Sequence, residues 1–122
     1  MQNALAMIDV QPGRTACAAR TVASRSILKA LAMALVHPHK ILLLDEPVAG
    51  VNPVVRDEIK KILRDLRKSG ETILLIEHDM HFVMDLADHV VVMDGGKLLT
   101  QGTPREIQNS PEVLEAYLGE QL

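Results

Sequence analysis

The sequence holds a single cysteine, Cys17, which excludes an internal disulfide framework. It has no surplus of basic residues either. Thirteen Lys and Arg stand against sixteen Asp and Glu, for a formal net charge of −3, with the two signs interspersed along the second half. A nucleic-acid-binding face needs a basic patch, so nucleic acid is not an expected partner. Long apolar runs are missing too: the stretch near Ala30 to Val36 ends at His37 and Pro38, and Ile41 to Leu44 ends at Asp45 and Glu46. Neither approaches the about 20 residues that cross a bilayer. The first residues lack the basic region and apolar core of a signal peptide, so the expected location is the cytoplasm. With 48% hydrophobic and 24% charged residues the composition suits a folded chain, and 122 residues allow one domain with a modest core.

Residues 1–25 show no sustained period. Ala4 to Val10 has the length of a strand, Pro12-Gly13 reads as a turn, and small residues with three arginines follow. From Ser26 the pattern sharpens. Ile27, Leu28, Leu31 and Leu35 recur at helical spacing, and Pro38 follows the expected end of that helix. Ile41 to Leu44 is a continuous apolar run of strand length closed by Asp45, Glu46 and Pro47, the pattern of a strand buried on both faces. Pro53 opens a helix to about Lys68, with Val55, Ile59, Ile62, Leu63 and Leu66 on one stripe and Arg67 and Lys68 at the dipole-favoured end. Gly70 stops it. Thr72 to Ile76 repeats the buried-strand pattern and ends at Glu77-His78-Asp79; Phe82, Val83 and Leu86 mark a short helix, and His89 to Met93 a third strand. Asp94-Gly95-Gly96 is a tight turn from which Lys97 to Gln101 returns antiparallel. Thr103-Pro104-Arg105-Glu106 begins a helix, and Pro111 to Leu118 forms a last one. Strands separated by helical crossovers define an α/β fold with parallel pairing.

In such folds the carboxyl ends of strands face the ligand crevice, and Asp45, Glu46, Glu77, His78 and Asp79 all lie at such ends. Two adjacent carboxylates can divide labour, one holding a hard divalent cation and the other orienting water. The plainer alternative has Asp45 capping a turn and Glu46 solvated. His78 can donate to a phosphate oxygen or transfer a proton. His37, His39, His81 and His89 read as surface or packing residues. His78 and His81 are three apart without a third zinc ligand, and Cys17 has no neighbouring base.

Four segments in order, ILLLDEP (41–47), AGVNP (49–53), TILLIEHDM (72–80) and LADHVVVMDGGKLLTQGTP (86–104), resemble the carboxy-terminal half of ABC transporter ATP-binding subunits. The tail EIQNSPEVLEAYLG (106–119) resembles the branched-chain amino acid importer subgroup. The resemblance covers roughly residues 28 to 119. The resemblance implies a P-loop NTPase-like sheet with helices, with Ile41 to Glu46 as the Walker B strand. Asp45 then helps to hold Mg2+, Glu46 positions the attacking water, and His78 is the switch histidine that contacts the terminal phosphate of ATP. Ala49, Gly50, Val51, Asn52 and Pro53 match the D-loop at the family's dimer interface, with Val51 where leucine is usual.

The same resemblance exposes what these residues do not include. There is no G-x-x-x-x-G-K followed by Ser or Thr, so no glycine-rich anion cradle and no lysine for the β and γ phosphates. The region expected to hold the family's signature motif, Arg20 to Ser26, reads RTVASRS without a glycine, and no aromatic base-stacking residue or Q-loop precedes it. ALAMALVHPHK lacks the family's arginine and has one extra residue. Residues 1–27 are thus read as a poorly matched segment and 28–122 as a partial ABC ATPase domain.

The expectation is a truncated or degenerate ATP-binding subunit, of branched-chain amino acid import type, that does not hydrolyse ATP alone. The implied partners are a transporter membrane subunit and a second ATP-binding subunit, at the inner face of the cell membrane. The alternatives are a non-catalytic interaction module on the same fold and an unrelated small α/β phosphoesterase using Asp45 and Glu46. Because the family's Walker A strand lies within the sheet, a chain without it needs a substitute, and Ala4 to Val10 is the candidate.

Overall fold

The computed structural model describes residues 2–8, 16–20 and 26–119. The strands β1 (Gln2–Ile8), β2 (Ala16–Arg20), β3 (Ile41–Asp45), β4 (Ile73–Glu77), β5 (His89–Asp94) and β6 (Lys97–Gly102) form one sheet in the order β2-β3-β4-β1-β5-β6. The helices are α1 (Ser26–Val36), α2 (Pro53–Lys68), α3 (Met80–Met84), α4 (Pro104–Gln108) and α5 (Pro111–Gly119). The fold class is therefore α/β, as the alternation of strands and helices predicts.

β2, β3 and β4 are parallel, with Leu42 opposite Ile73 and Asp45 opposite Ile76. β5 and β6 form the antiparallel hairpin expected around Gly95 and Gly96, whose positive φ angles of 54° and 77° suit residues without a Cβ. Two features depart from the expectation. β4 and β5 run in the same direction but do not pair, because β1 lies between them and is antiparallel to both. The strand expected at Ala4 to Val10 thus starts at Gln2, and Asp9 and Val10 lie outside the described residues. Ala16–Arg20 forms a strand on the outer side of β3, although its small residues carry no strand period; of the expected signature region Arg20 to Ser26, residues 21–25 lie outside the described residues.

The core gathers Ile27, Leu31 and Ala34 of α1, Leu42 and Leu44 of β3, Ile59 and Leu63 of α2, Ile73 and Leu75 of β4, and Val90 and Val92 of β5. Val48 after β3, Phe82, Val83, Leu86 and Ala87 around α3, and Ile107 and Val113 near the end complete it among the described residues. β3 and β4 alternate between fully and partly buried residues, so one face of the sheet is sealed and the other only partly covered. This corrects the expectation of equal burial on both faces. An uninterrupted apolar run cannot distinguish the two cases, since it satisfies either face.

α2 is anchored at both ends. Asn52 caps it by accepting the Val55 N–H at 3.0 Å, and Pro53 occupies the first turn, where a missing N–H costs nothing. At the far end Gly70, at φ 92°, turns the chain toward β4.

Because β1 donates to ladders on both sides, a proline within it removes a hydrogen bond in the middle of the sheet. Leu5→Pro is expected to lower stability by about 3 kcal/mol, measured by urea denaturation. An unchanged midpoint would mean that the sheet does not depend on this strand.

Candidate functional site

The parallel register of β3 and β4 brings two acid-bearing strand ends side by side. Glu46 extends the ladder one residue beyond β3, its N–H donating to the Ile76 carbonyl at 2.8 Å. Asp45 and Glu46 therefore sit next to Glu77 and His78. His78 Nδ1 lies 3.5 Å from Glu46 Oε1 and 4.0 Å from Glu77 Oε2. The structure thus brings together Asp45, Glu46 and His78, the residues singled out from sequence, at the carboxyl edge where an α/β sheet presents ligand groups.

Glu46 has φ 48°, and among the described residues it is the only non-glycine with positive φ. A left-handed conformation costs an L-residue roughly 1–2 kcal/mol. Such strain persists where surrounding contacts over-determine it, and it gathers at functional positions. Here the Ile76 carbonyl fixes the Glu46 N–H, and the Ala49 N–H returns to the Glu46 carbonyl at 3.2 Å, closing a turn around Pro47 and Val48. That turn launches Ala49, Gly50, Val51 and Asn52. Gly50, at φ 67°, reverses the chain, and Asn52 and Pro53 start α2. Glycine and cap chemistry thus set the path of the whole 49–53 segment.

Glu77 departs from its expected place in an open crevice. It is 1% exposed. Its Oε1 accepts the Val48 N–H at 3.1 Å, whereas Oε2 is buried without a hydrogen-bond partner among the described residues. Burial pushes its pKa above the ordinary carboxylate value, and the Val48 N–H and nearby His78 offset only part of that rise. Sequence reading gave Glu77 no role of its own. The available signal was position: a strand of period two whose inward set is Ile73, Leu75 and Glu77.

Asp79 is a cap and an ion-pair partner. Its Oδ1 accepts the Phe82 N–H at 3.0 Å, and its other oxygen meets the Arg56 guanidinium of α2. Burial would raise its pKa, but the Phe82 N–H and Arg56 outweigh it and hold the carboxyl below the usual aspartate range. Lys60 reaches Asp85 at 2.7 Å, Arg67 pairs with Asp88, and Arg56 and Lys60 lie 5.6 and 5.7 Å from the centroid of the Phe82 ring. One face of α2 thereby grips α3 and the segment after it, starting at Asp79, the residue that follows His78. His39 pairs with Glu71 at 3.1 Å, in keeping with a packing role. An open groove of about 500 Å³ is lined by His78, Asp79, His81 and Gln108 together with the apolar Met80, Met84, Ile107, Val113 and Leu114.

Among the described residues no group of three or more His, Cys, Asp or Glu is placed to hold a metal ion by itself, so any Mg2+ here would need phosphate and water oxygens beside the protein's carboxylates. Mg2+ takes one or two carboxylates and fills its remaining positions with water and phosphate oxygens. Asp45 and Glu46 offer hard oxygens at a strand end, and no soft ligand stands beside them among the described residues.

Comparison with known proteins gives the class that the chain resembles: in sequence and fold it is similar to part of the ATP-binding cassettes of ABC transporters. It superposes on the ADP conformation of MJ1267, an ATP-binding cassette of an ABC transporter, with a TM-score of 0.69 and 30% identity, covering 81% of this chain and 41% of that one. Within the class, a family described as branched-chain amino acid ATP-binding cassette transporter matches residues 97–122. The high-affinity branched-chain amino acid transport ATP-binding protein BraF of Pseudomonas aeruginosa is 50% identical over 82 residues, 66% of this chain and 32% of BraF. LivG of Escherichia coli, described in the same words, is 46% identical over 91 residues, 74% of this chain and 36% of LivG. The matched stretch thus spans about a third of the length of these relatives. Among the described residues no helix is long and apolar enough to cross a membrane.

Two measurements test the site's energetics. Glu46→Gly is expected to raise stability by roughly 1 kcal/mol by removing the left-handed strain; a loss would show that Glu46 contacts outweigh it. Folded Glu77 keeps its proton to higher pH than the unfolded chain, so above about 4.5 the folded state binds more protons and stability falls as pH rises. Glu77→Gln is expected to flatten that fall in urea midpoints taken from pH 4 to 8. Asp79 works in the opposite sense: its contribution is present above the ordinary aspartate value of 3.8 and is lost as pH drops through the lower folded value.

Proposed function

We propose that the chain serves ATP-driven import of branched-chain amino acids, as the part of an ATP-binding subunit that carries the metal, water and terminal-phosphate residues. The observation that carries this reading is the convergence of Asp45, Glu46 and His78 at adjacent strand ends, with Glu46 and His78 3.5 Å apart. Bound Mg2+ would neutralise charge on the phosphoryl oxygens during transfer. Asp45 would hold that ion. Glu46, fixed by its strained backbone, would orient the attacking water, and His78 would donate to the terminal phosphate. Ala49 to Pro53 would form the contact with a second ATP-binding subunit. A transporter membrane subunit would complete the assembly at the cytoplasmic face of the membrane.

These 122 residues contain no glycine-rich phosphate cradle, and we read residues 28–122 as a partial cassette. The cradle therefore has to come from other polypeptide sequence. A second reading, an interaction module without chemistry of its own, draws support from α1, an almost wholly apolar helix that leaves Met33 65% and Val36 81% exposed.

Calorimetric titration of Mg-ATP into the folded chain, with Glu46→Gln beside it to limit hydrolysis, tests the first reading. No saturable binding up to millimolar ATP is expected from the chain alone. Co-purification with an intact ATP-binding subunit and its membrane partner is expected from both readings. Restoration of hydrolysis that Glu46→Gln abolishes, in that mixture, belongs only to the first.

A further inference from the structure

Glu77 stands between the two halves of the site. One oxygen holds the Val48 N–H at 3.1 Å, in the turn that leads from Glu46 to the 49–53 segment. The other is buried without a hydrogen-bond partner among the described residues and lies 4.0 Å from Nδ1 of the adjacent His78. An acceptor in that position is costly to leave unmade. A movement of the His78 ring by about 1 Å would bring a ring nitrogen to hydrogen-bond distance of it. The carboxyl group is planar and rigid, so a pull on one oxygen reorients the other. Val48 itself is 7% exposed and packs in the core, which leaves the turn little freedom to respond except along its own path.

We propose that Glu77 is a positioning residue: its buried carboxyl links His78 to the Val48 amide, so that the position of the His78 ring sets the conformation of the Glu46 turn and of Ala49–Pro53. The link rests on the reading of Glu46 and His78 as the water-facing and phosphate-facing pair. It makes the histidine's engagement with a phosphate legible at the segment that faces a second subunit. The strained Glu46 backbone lies on the same path, since the Ala49 N–H returns to the Glu46 carbonyl.

The test uses the full chain, labelled with nitrogen-15, and no nucleotide, so it stands or falls separately from the calorimetry. In the unmodified chain, His78→Ala is expected to shift the amide signals of Val48 to Asn52. In a Glu77→Gln background, which keeps an acceptor for Val48 but loses the carboxylate, that response is expected to fall at least twofold while the Val48 amide stays protected from exchange. In Glu77→Leu the Val48 amide is expected to exchange at least tenfold faster. Should Glu77→Leu fail to fold, the Glu77→Gln comparison decides alone. A His78→Ala response at residues 48–52 that is equal in the two backgrounds, or absent in the unmodified chain, overturns the proposal. A purely structural Glu77 would alter exchange at Val48 without changing how residues 48–52 respond to His78.

Discussion

The parallel pairing of β3 with β4 is the constraint on which the site depends. Side chains alternate along both strands, so a slip of one residue would turn every buried leucine outward and exchange Glu77 with His78 at the strand end. The buried set Leu42, Leu44, Ile73 and Leu75 makes that slip prohibitive. Core packing, with no polar contact needed, thus fixes which acid lies inside and which groups face outward. Asp45, Glu46 and His78 owe their proximity to leucines.

β1 adds a second dependence. β4 and β5 each need a partner on the side where they would otherwise meet, because an unpaired edge in the middle of a sheet leaves backbone donors and acceptors without bonds. The antiparallel strand Gln2–Ile8 satisfies both edges and joins the β2-β3-β4 portion to the β5-β6 hairpin. An antiparallel insertion also sets the amino end of β1 beside the carboxyl end of β4, with Ala4 opposite Glu77. The candidate site is therefore bordered by the segment that the sequence offered as a substitute strand, in an antiparallel sense that the resemblance to ABC cassettes did not give.

At the site itself the molecule departs from what local stability favours. Glu46 adopts a left-handed backbone, and Glu77 buries a carboxyl whose second oxygen has no donor among the described residues. Both conditions cost free energy, and both sit on the short path from His78 to α2. The salt-bridged face of α2 supplies a rigid backing: Arg56, Lys60 and Arg67 hold Asp79, Asp85 and Asp88 around α3, while Phe82 fills the space beneath. Exposed pairs of this kind contribute about 0–1 kcal/mol each, so their value lies in orientation more than in stability.

Much of this was legible in the chain. Periodicity placed α1, α2 and β3 through β6, and the turn chemistry of Gly95-Gly96 and the cap at Thr103 marked their boundaries, because these signals are local. The acids and histidine at strand ends were visible for the same reason. Ala16–Arg20 was not, since small residues carry no period and only pairing with β3 makes them a strand. The inward turn of Glu77 was only half legible: period two groups it with Ile73 and Leu75, but which set of the strand faces the core depends on register with its neighbours. Sequence by itself determined the alternation of strands and helices and the identity of Asp45, Glu46 and His78 as candidate groups, because composition and spacing act within a few residues. Only the tertiary structure decided that β1 divides β4 from β5 and that Glu77 turns inward to accept the Val48 N–H, because those relations join segments far apart in the chain.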